Sequence, residues 1–285
     1  MGTNEAFGGS GAATWEQVRD EWVGVGAAGG SEENGDDAAA EADPAGGEAA
    51  YDPLVVAIAQ ALIGEDKDAR QPSVPSLPLS AVLSSRGGGR GGGRGGGGGG
   101  GSGSGGGSSS GGRRVTAQAA RGGSAIGAAA AYRDRDADAL AGYGLTLDEL
   151  DALSPRMRCA RILEVAIGPA GHPDEQAMRD ASVAQVKALV SGAPEAANIS
   201  PLESIRDFIS ELTVRLGLIE LRDQYLAKVM TAAESRAREK GLRQWVKAKA
   251  ARLDLGRYAG VSANQFHQVA RQMSVDVLRL LRGDA

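Results

Sequence analysis

The sequence predicts an all-α fold: a C-terminal helical domain, either a bundle or an elongated unit with a coiled-coil segment, behind an N-terminal half that is largely disordered. Three observations carry that expectation. From Leu145 onward, apolar residues recur at helical spacing between repeated cap signals, with no convincing strand alternation. Nineteen of the 44 glycines fall between Gly87 and Gly112, where almost nothing but Ser and Arg accompanies them. Glycine loses the most entropy on ordering and brings no side chain to bury, so that stretch builds no core. Charge also divides the chain: residues 1–70 hold 15 acidic and 3 basic side chains, 71–131 hold six arginines and no acid, and 132–285 hold 22 basic and 21 acidic groups.

These blocks predict an acidic disordered arm over 1–70, with short helices near 15–23 and 53–63. A Gly/Ser/Arg-rich flexible linker follows over 71–139, then an α-helical domain over 140–285. In the arm, Thr14 and Gln17 form a capping box and place Trp15, Val18 and Trp22 on one helix face. The second segment starts at Asp52-Pro53, stops at Gly64, and is apolar nearly all round through Leu54, Val55, Ile58 and Leu62. Either segment docks in a partner's groove or packs on the chain's own C-terminal domain. In the linker, Arg86, Arg90 and Arg94 recur every four residues, followed by Arg113, Arg114 and Arg121. Such a polycation contacts phosphates without sequence preference, or serves as a plain tether.

Within the helical region, Thr146 and Glu149 cap a short helix, and Ser154-Pro155 starts one that Gly168-Pro169 stops. A third runs from about Asp174 to Val190. Ser200-Pro201 starts a fourth, in which Leu202, Ile205, Ile209, Leu212, Leu216 and Ile219 follow the alternating spacing of a coiled-coil seam that resumes at Leu226 and Met230. That seam joins copies of the chain, or the helix is the centre of a monomeric bundle.

Between Arg236 and Arg257, eight basic residues (Arg236, Arg238, Lys240, Arg243, Lys247, Lys249, Arg252 and Arg257) face only Glu239 and Asp254. They line phosphates, or they form a solvated face or a dock for the acidic arm. The run Tyr258-Ala259-Gly260-Val261-Ser262 then leads into Ala263–Arg271. It resembles the turn of helix-turn-helix DNA-binding domains of the lactose-repressor type, over about 20 residues near 252–272. The resemblance implies Gly260 as the turn glycine, Val261 as a buried residue, and Phe266 and Val269 on the inward face of the second helix. Ser262, Asn264, Gln265, His267, Gln268 and Arg271 become candidates for phosphate or base-edge contacts.

Other chemistry is sparse. One Cys excludes an internal disulfide, and Cys159, His172 and His267 lie too far apart for a zinc site. No secretory signal or membrane span is evident, so a soluble intracellular protein of cytoplasm or nucleus (or nucleoid) is expected. No catalytic constellation, metal site or cofactor motif stands in its required context, and an enzyme is not expected. The leading expectation is a nucleic-acid-associated protein, binding DNA or RNA, that self-associates. One alternative is an assembly adaptor recruiting protein partners through the arm; that layout resembles viral polymerase cofactors of the phosphoprotein type. The other is a regulator whose acidic arm masks the basic surface.

Overall fold

The computed structural model describes residues 17–18, 20–22, 44–63, 78–84, 110–191, 198–221 and 231–283. Those residues are all-α, with no strand among them. The helices are α1 (Pro44–Ile63), α2 (Leu79–Ser84), α3 (Ser110–Arg133), α4 (Ala137–Gly142), α5 (Leu147–Asp151), α6 (Pro155–Ala166), α7 (Pro173–Val190), α8 (Pro201–Glu220), α9 (Ala232–Ala250) and α10 (Phe266–Arg282). Two 3-10 turns, Leu255–Tyr258 and Ala263–Gln265, join α9 to α10.

The centre of the domain is α3, which lies inside the stretch expected to be linker. The flexible linker over 71–139 is therefore corrected: α2 and α3 fall within it, and α3 packs against α10, α7, α6, α8 and α1. Its residues are small enough for neighbours to press in from every side. Ala119, Ala125, Ile126, Ala128 and Ala129 are fully buried. Gly123 and Gly127 stand one turn apart on one face. A Cβ on Gly123 would lie 2.7 Å from the Phe266 carbonyl oxygen, and one on Gly127 would strike the Tyr143 hydroxyl and the Ala263 carbonyl. Glycine here permits contact between backbones, so its entropic cost is set against dense packing. Arg121, read with the linker arginines, is also in the core. It donates to Glu175 at 2.8 Å and to the Ile167 carbonyl at 2.6 Å. Although burial raises the Glu175 carboxyl, bonds from Arg121 and the Gly171 N–H outweigh it and hold the group below its ordinary value.

Around α3 the helices begin where the caps predict. Thr146 accepts from the Glu149 N–H at 3.2 Å and Ser154 from that of Met157 at 3.4 Å. α7 is opened by His172, close to the expected start near Asp174, and α8 starts at Pro201 with no side-chain bond from Ser200. α8 closes at Leu221. A fresh capping box starts α9: Thr231 accepts from the Glu234 N–H, and Glu234 accepts from the Thr231 N–H at 2.7 Å. Those bonds hold the Glu234 carboxyl below the usual range.

The seam of α8 lies inside the chain. Ile205, Ile209, Leu212 and Leu216 are buried among α3, α7, α9 and α10, and Leu202 and Ile219 pack partly buried beside them. Their assignment to a contact between copies is corrected, because neighbouring helices of the same chain already cover that face. Leu226 and Met230 lie outside the described residues.

The arm segments are internal too. Val18, Trp22, Leu54, Val55, Ile58 and Leu62, expected as partner-binding residues or as packing residues, are at most 6% exposed within this chain's core. Docking in cis is therefore the observed arrangement, and a groove on a separate protein is not needed to bury them. Trp15 lies outside the described residues. The second segment is also longer than expected, with Pro53 inside α1 rather than at its start. Proline in a helix removes one backbone bond, but burial of the following apolar stretch on α10, α9 and α3 maintains the helix.

Candidate nucleic-acid interface

α9 is built as a wedge with one dry and one wet side. Ser235, Leu242, Val246 and Ala250 recur at helical spacing and are buried. Opposite them, Arg236, Lys240, Gln244 and Lys247 are exposed. Arg236 and Lys247 stand about 16 Å apart along the axis, at 1.5 Å per residue.

The two flanks of the wedge use their cations internally. Toward α8, Arg243 meets Glu211 at 3.3 Å and Lys247 meets Asp207 at 3.1 Å, while Glu239 on α9 itself lies 3.3 Å from Arg243. Toward the arm, Arg238 donates to the Trp22 carbonyl at 2.6 Å, and its guanidinium lies 6.0 Å from the Trp22 ring. Lys249 bonds Asp52 at 3.0 Å and the Leu281 carbonyl at 3.3 Å, and sits 4.2 Å from the Trp245 ring. Four of the eight expected phosphate contacts thus have internal partners. Arg236, Lys240, Arg252 and Arg257 are exposed and form no ion pair among the described residues.

The region resembling a helix-turn-helix has a different geometry. Residues 251–265 separate α9 from α10, and two 3-10 turns occupy much of that length. Gly260 has φ +77°, as a turn glycine requires. Ser262 makes no cap bond to the backbone of the turn; its hydroxyl donates toward the Asn264 and Gln265 side-chain oxygens, at 2.7 and 3.3 Å. His267 is 2% exposed and Arg271 9%, so both are corrected from nucleic-acid contacts to core residues. The cause is α3: its glycine face draws α10 so close that the first turns of α10 are covered. Burial lowers the Arg271 pKa. Gln268 is half-buried, while Ser262, Asn264 and Gln265 remain exposed.

Tyr143 holds this turn from below. Its hydroxyl donates to the Ala263 carbonyl at 2.7 Å, and burial pushes its pKa up. Tyr258 donates to Asp276 at 2.5 Å, and burial, with that bond, raises it as well. Sequence reasoning assigned no role to either tyrosine, and only the folded path of the chain joins residues 143 and 263.

No family model matches the chain, and neither a curated protein nor a solved structure matches it. No helix among the described residues is long and apolar enough to cross a membrane. Among them, no group of three His, Cys, Asp or Glu side chains is placed to hold a metal ion.

Proposed function

We propose that the protein is a non-enzymatic nucleic-acid-associated protein that contacts phosphates through the outer face of α9. The observation that carries this reading is the separation of cations on that helix and on the turn that follows it, where Arg252 and Arg257 lie. Arg238 and Lys249 close onto the arm and Arg243 closes onto α8. Arg236, Lys240, Arg252 and Arg257 remain exposed without an ion pair among the described residues. Exposed Arg and Lys without carboxylate partners release counterions from a nucleic-acid backbone on binding.

Such contacts position a strand without reading its sequence. Trp245 is partly buried and packed on the core, so α9 supplies no open stacking platform of the kind single-strand binders use. Asn264 and Gln265 are exposed amides on the turn and are the groups suited to base edges. The working set is smaller than the sequence suggested: Arg236, Lys240, Arg252 and Arg257 for phosphates, with Lys247 sharing its charge with Asp207.

A second reading, in which the acidic arm restrains binding, is favoured by one specific contact. Asp52 on α1 takes up Lys249, directly beside the exposed stripe. The test is fluorescence anisotropy of a single-stranded oligonucleotide at low salt with the full chain. Arg236→Glu, Lys240→Glu and Arg252→Glu together should weaken binding by about tenfold or more. Arg156→Glu, an exposed change off α9, should leave it unchanged. Equal losses in both would remove α9 as the interface. If the arm restrains binding, Asp52→Asn strengthens it.

A further inference from the structure

The contact between α1 and the domain is a fitted socket. Gly217 lies inside α8 and Gly241 inside α9, where each lowers helix propensity relative to Ala. Both occur where α1 inserts a side chain. A Cβ on Gly217 would lie 3.2 Å from Ile58 Cδ1 and Cγ2, and one on Gly241 would collide with the Tyr51 phenol. Tyr51 and Ile58 are two turns apart on one face of α1. Two helices are therefore notched at the spacing of one particular third helix. Leu54 and Leu62 fill the groove beside these positions, and the Asp52–Lys249 ion pair closes its edge.

Nothing in this fit depends on which copy of the chain supplies α1. Residues 64–109 join α1 to α3, a length on the order of 150 Å when extended. Among the described residues of that stretch, α2 docks through the buried Val82. We propose that the groove formed by α3, α8, α9 and α10 is an arm-exchange site, and that its second occupant is α1 from another copy of the same chain. The exchanged arrangement keeps every side-chain contact of the internal one. In dilute protein the covalent tether favours the chain's own α1, with an effective concentration in the millimolar range. Crowded copies shift the balance toward exchange. Reciprocal exchange closes a two-fold dimer, and one-way exchange continues from copy to copy. Self-association then runs through α1, which the sequence placed in the arm, and not through the seam of α8.

Cysteine trapping in full-length chains carrying Cys159→Ala tests this. The double variant Ile58→Cys/Gly217→Cys should close a disulfide within one chain, since the two positions are in direct contact. Separate Ile58→Cys and Gly217→Cys chains, mixed at high concentration and oxidised, should form a dimer linked between residues 58 and 217. Its yield should rise with protein concentration. It should also exceed the linkage of Ile58→Cys to Lys240→Cys, an exposed position. Closure in the double variant with no excess 58–217 linkage in the mixture would overturn exchange. Failure of the double variant to close would overturn the socket itself.

Discussion

α9 and α10 pack against one core and use their polar residues in opposite ways. α10 buries Phe266, Val269, Ala270, Met273, Val277, Leu278 and Leu281, and draws His267, Arg271 and Ser274 inside with them. α9 buries Ser235, Leu242, Val246 and Ala250 and leaves most of its cations at the surface or in ion pairs near it. The difference comes from the neighbours. α10 meets the glycine face of α3, which lets two backbones approach and covers more of its circumference. α9 packs on α8, α1 and α10 through four buried residues and leaves the remainder of its circumference half-buried or exposed. A count of basic residues therefore says little about an interface until the covering helix is known.

The most forceful way to break this contrast is to add bulk to α3. Gly123→Val would push a side chain against the Phe266 carbonyl and Ala270. Backbone cannot rotate away, so a loss of about 3 kcal/mol is expected, at the upper end of overpacking effects. The readout is the urea midpoint. Lys240→Ala on the outer face of α9 should move stability by no more than about 0.5 kcal/mol. Similar shifts for the two would erase the distinction.

The next effect sharpens the role of Tyr143. Tyr143→Phe leaves the Ala263 carbonyl without its donor and should cost about 1–2 kcal/mol. The buried phenols also set an alkaline limit. Tyr143 and Tyr258 are raised in the folded state from 10.0. Their preference for the neutral form stabilises the fold fully below 10.0, and this contribution is lost as pH rises above that value toward the folded pKa. Denaturant titrations on both sides of pH 10.0 should show the decline, and Tyr143→Phe should make it shallower. A smaller change tests the start of α9: Thr231→Ala removes the capping box and should cost about 1 kcal/mol. A pH-dependent loss confined to acid belongs to Asp151, which the hydrogen bond from Arg135, with that from Tyr132, holds at about 2. That contribution is present above the unfolded value of 3.8 and disappears as pH falls through about 2.

The all-α class and the starts of α5 and α6 were legible because capping is local chemistry, complete within four residues, and the start of α8 because a first-turn proline pre-sets the helical backbone. The central role of α3 was not legible. Its Ala and Gly residues carry no hydrophobic periodicity, and the glycines at 123 and 127 build a core by bringing helices together. The i, i+4 spacing of Gly123, Gly127 and Ala131 was the available signal. Thr231 and Glu234 likewise marked the start of α9 by the same local pattern, which the seam reading through Leu226 and Met230 left unused. At the candidate interface, exposure of Arg236 and Lys240 followed from the sequence pattern. Capture of Arg238 by Trp22 and of Lys249 by Asp52 did not, since those partners lie far away along the chain.

The central claim is that the outer face of α9 neutralises phosphates, and the salt dependence of binding tests it most directly. Affinity for a single-stranded oligonucleotide should be measured across a salt series for the wild-type chain and for Arg236→Ala/Lys240→Ala/Arg252→Ala. Three lost contacts should reduce the slope of log affinity against log salt by about 2, at roughly 0.7 per contact for single strands. An unchanged slope, or an affinity too weak to measure in the wild-type chain at low salt, would contradict the account.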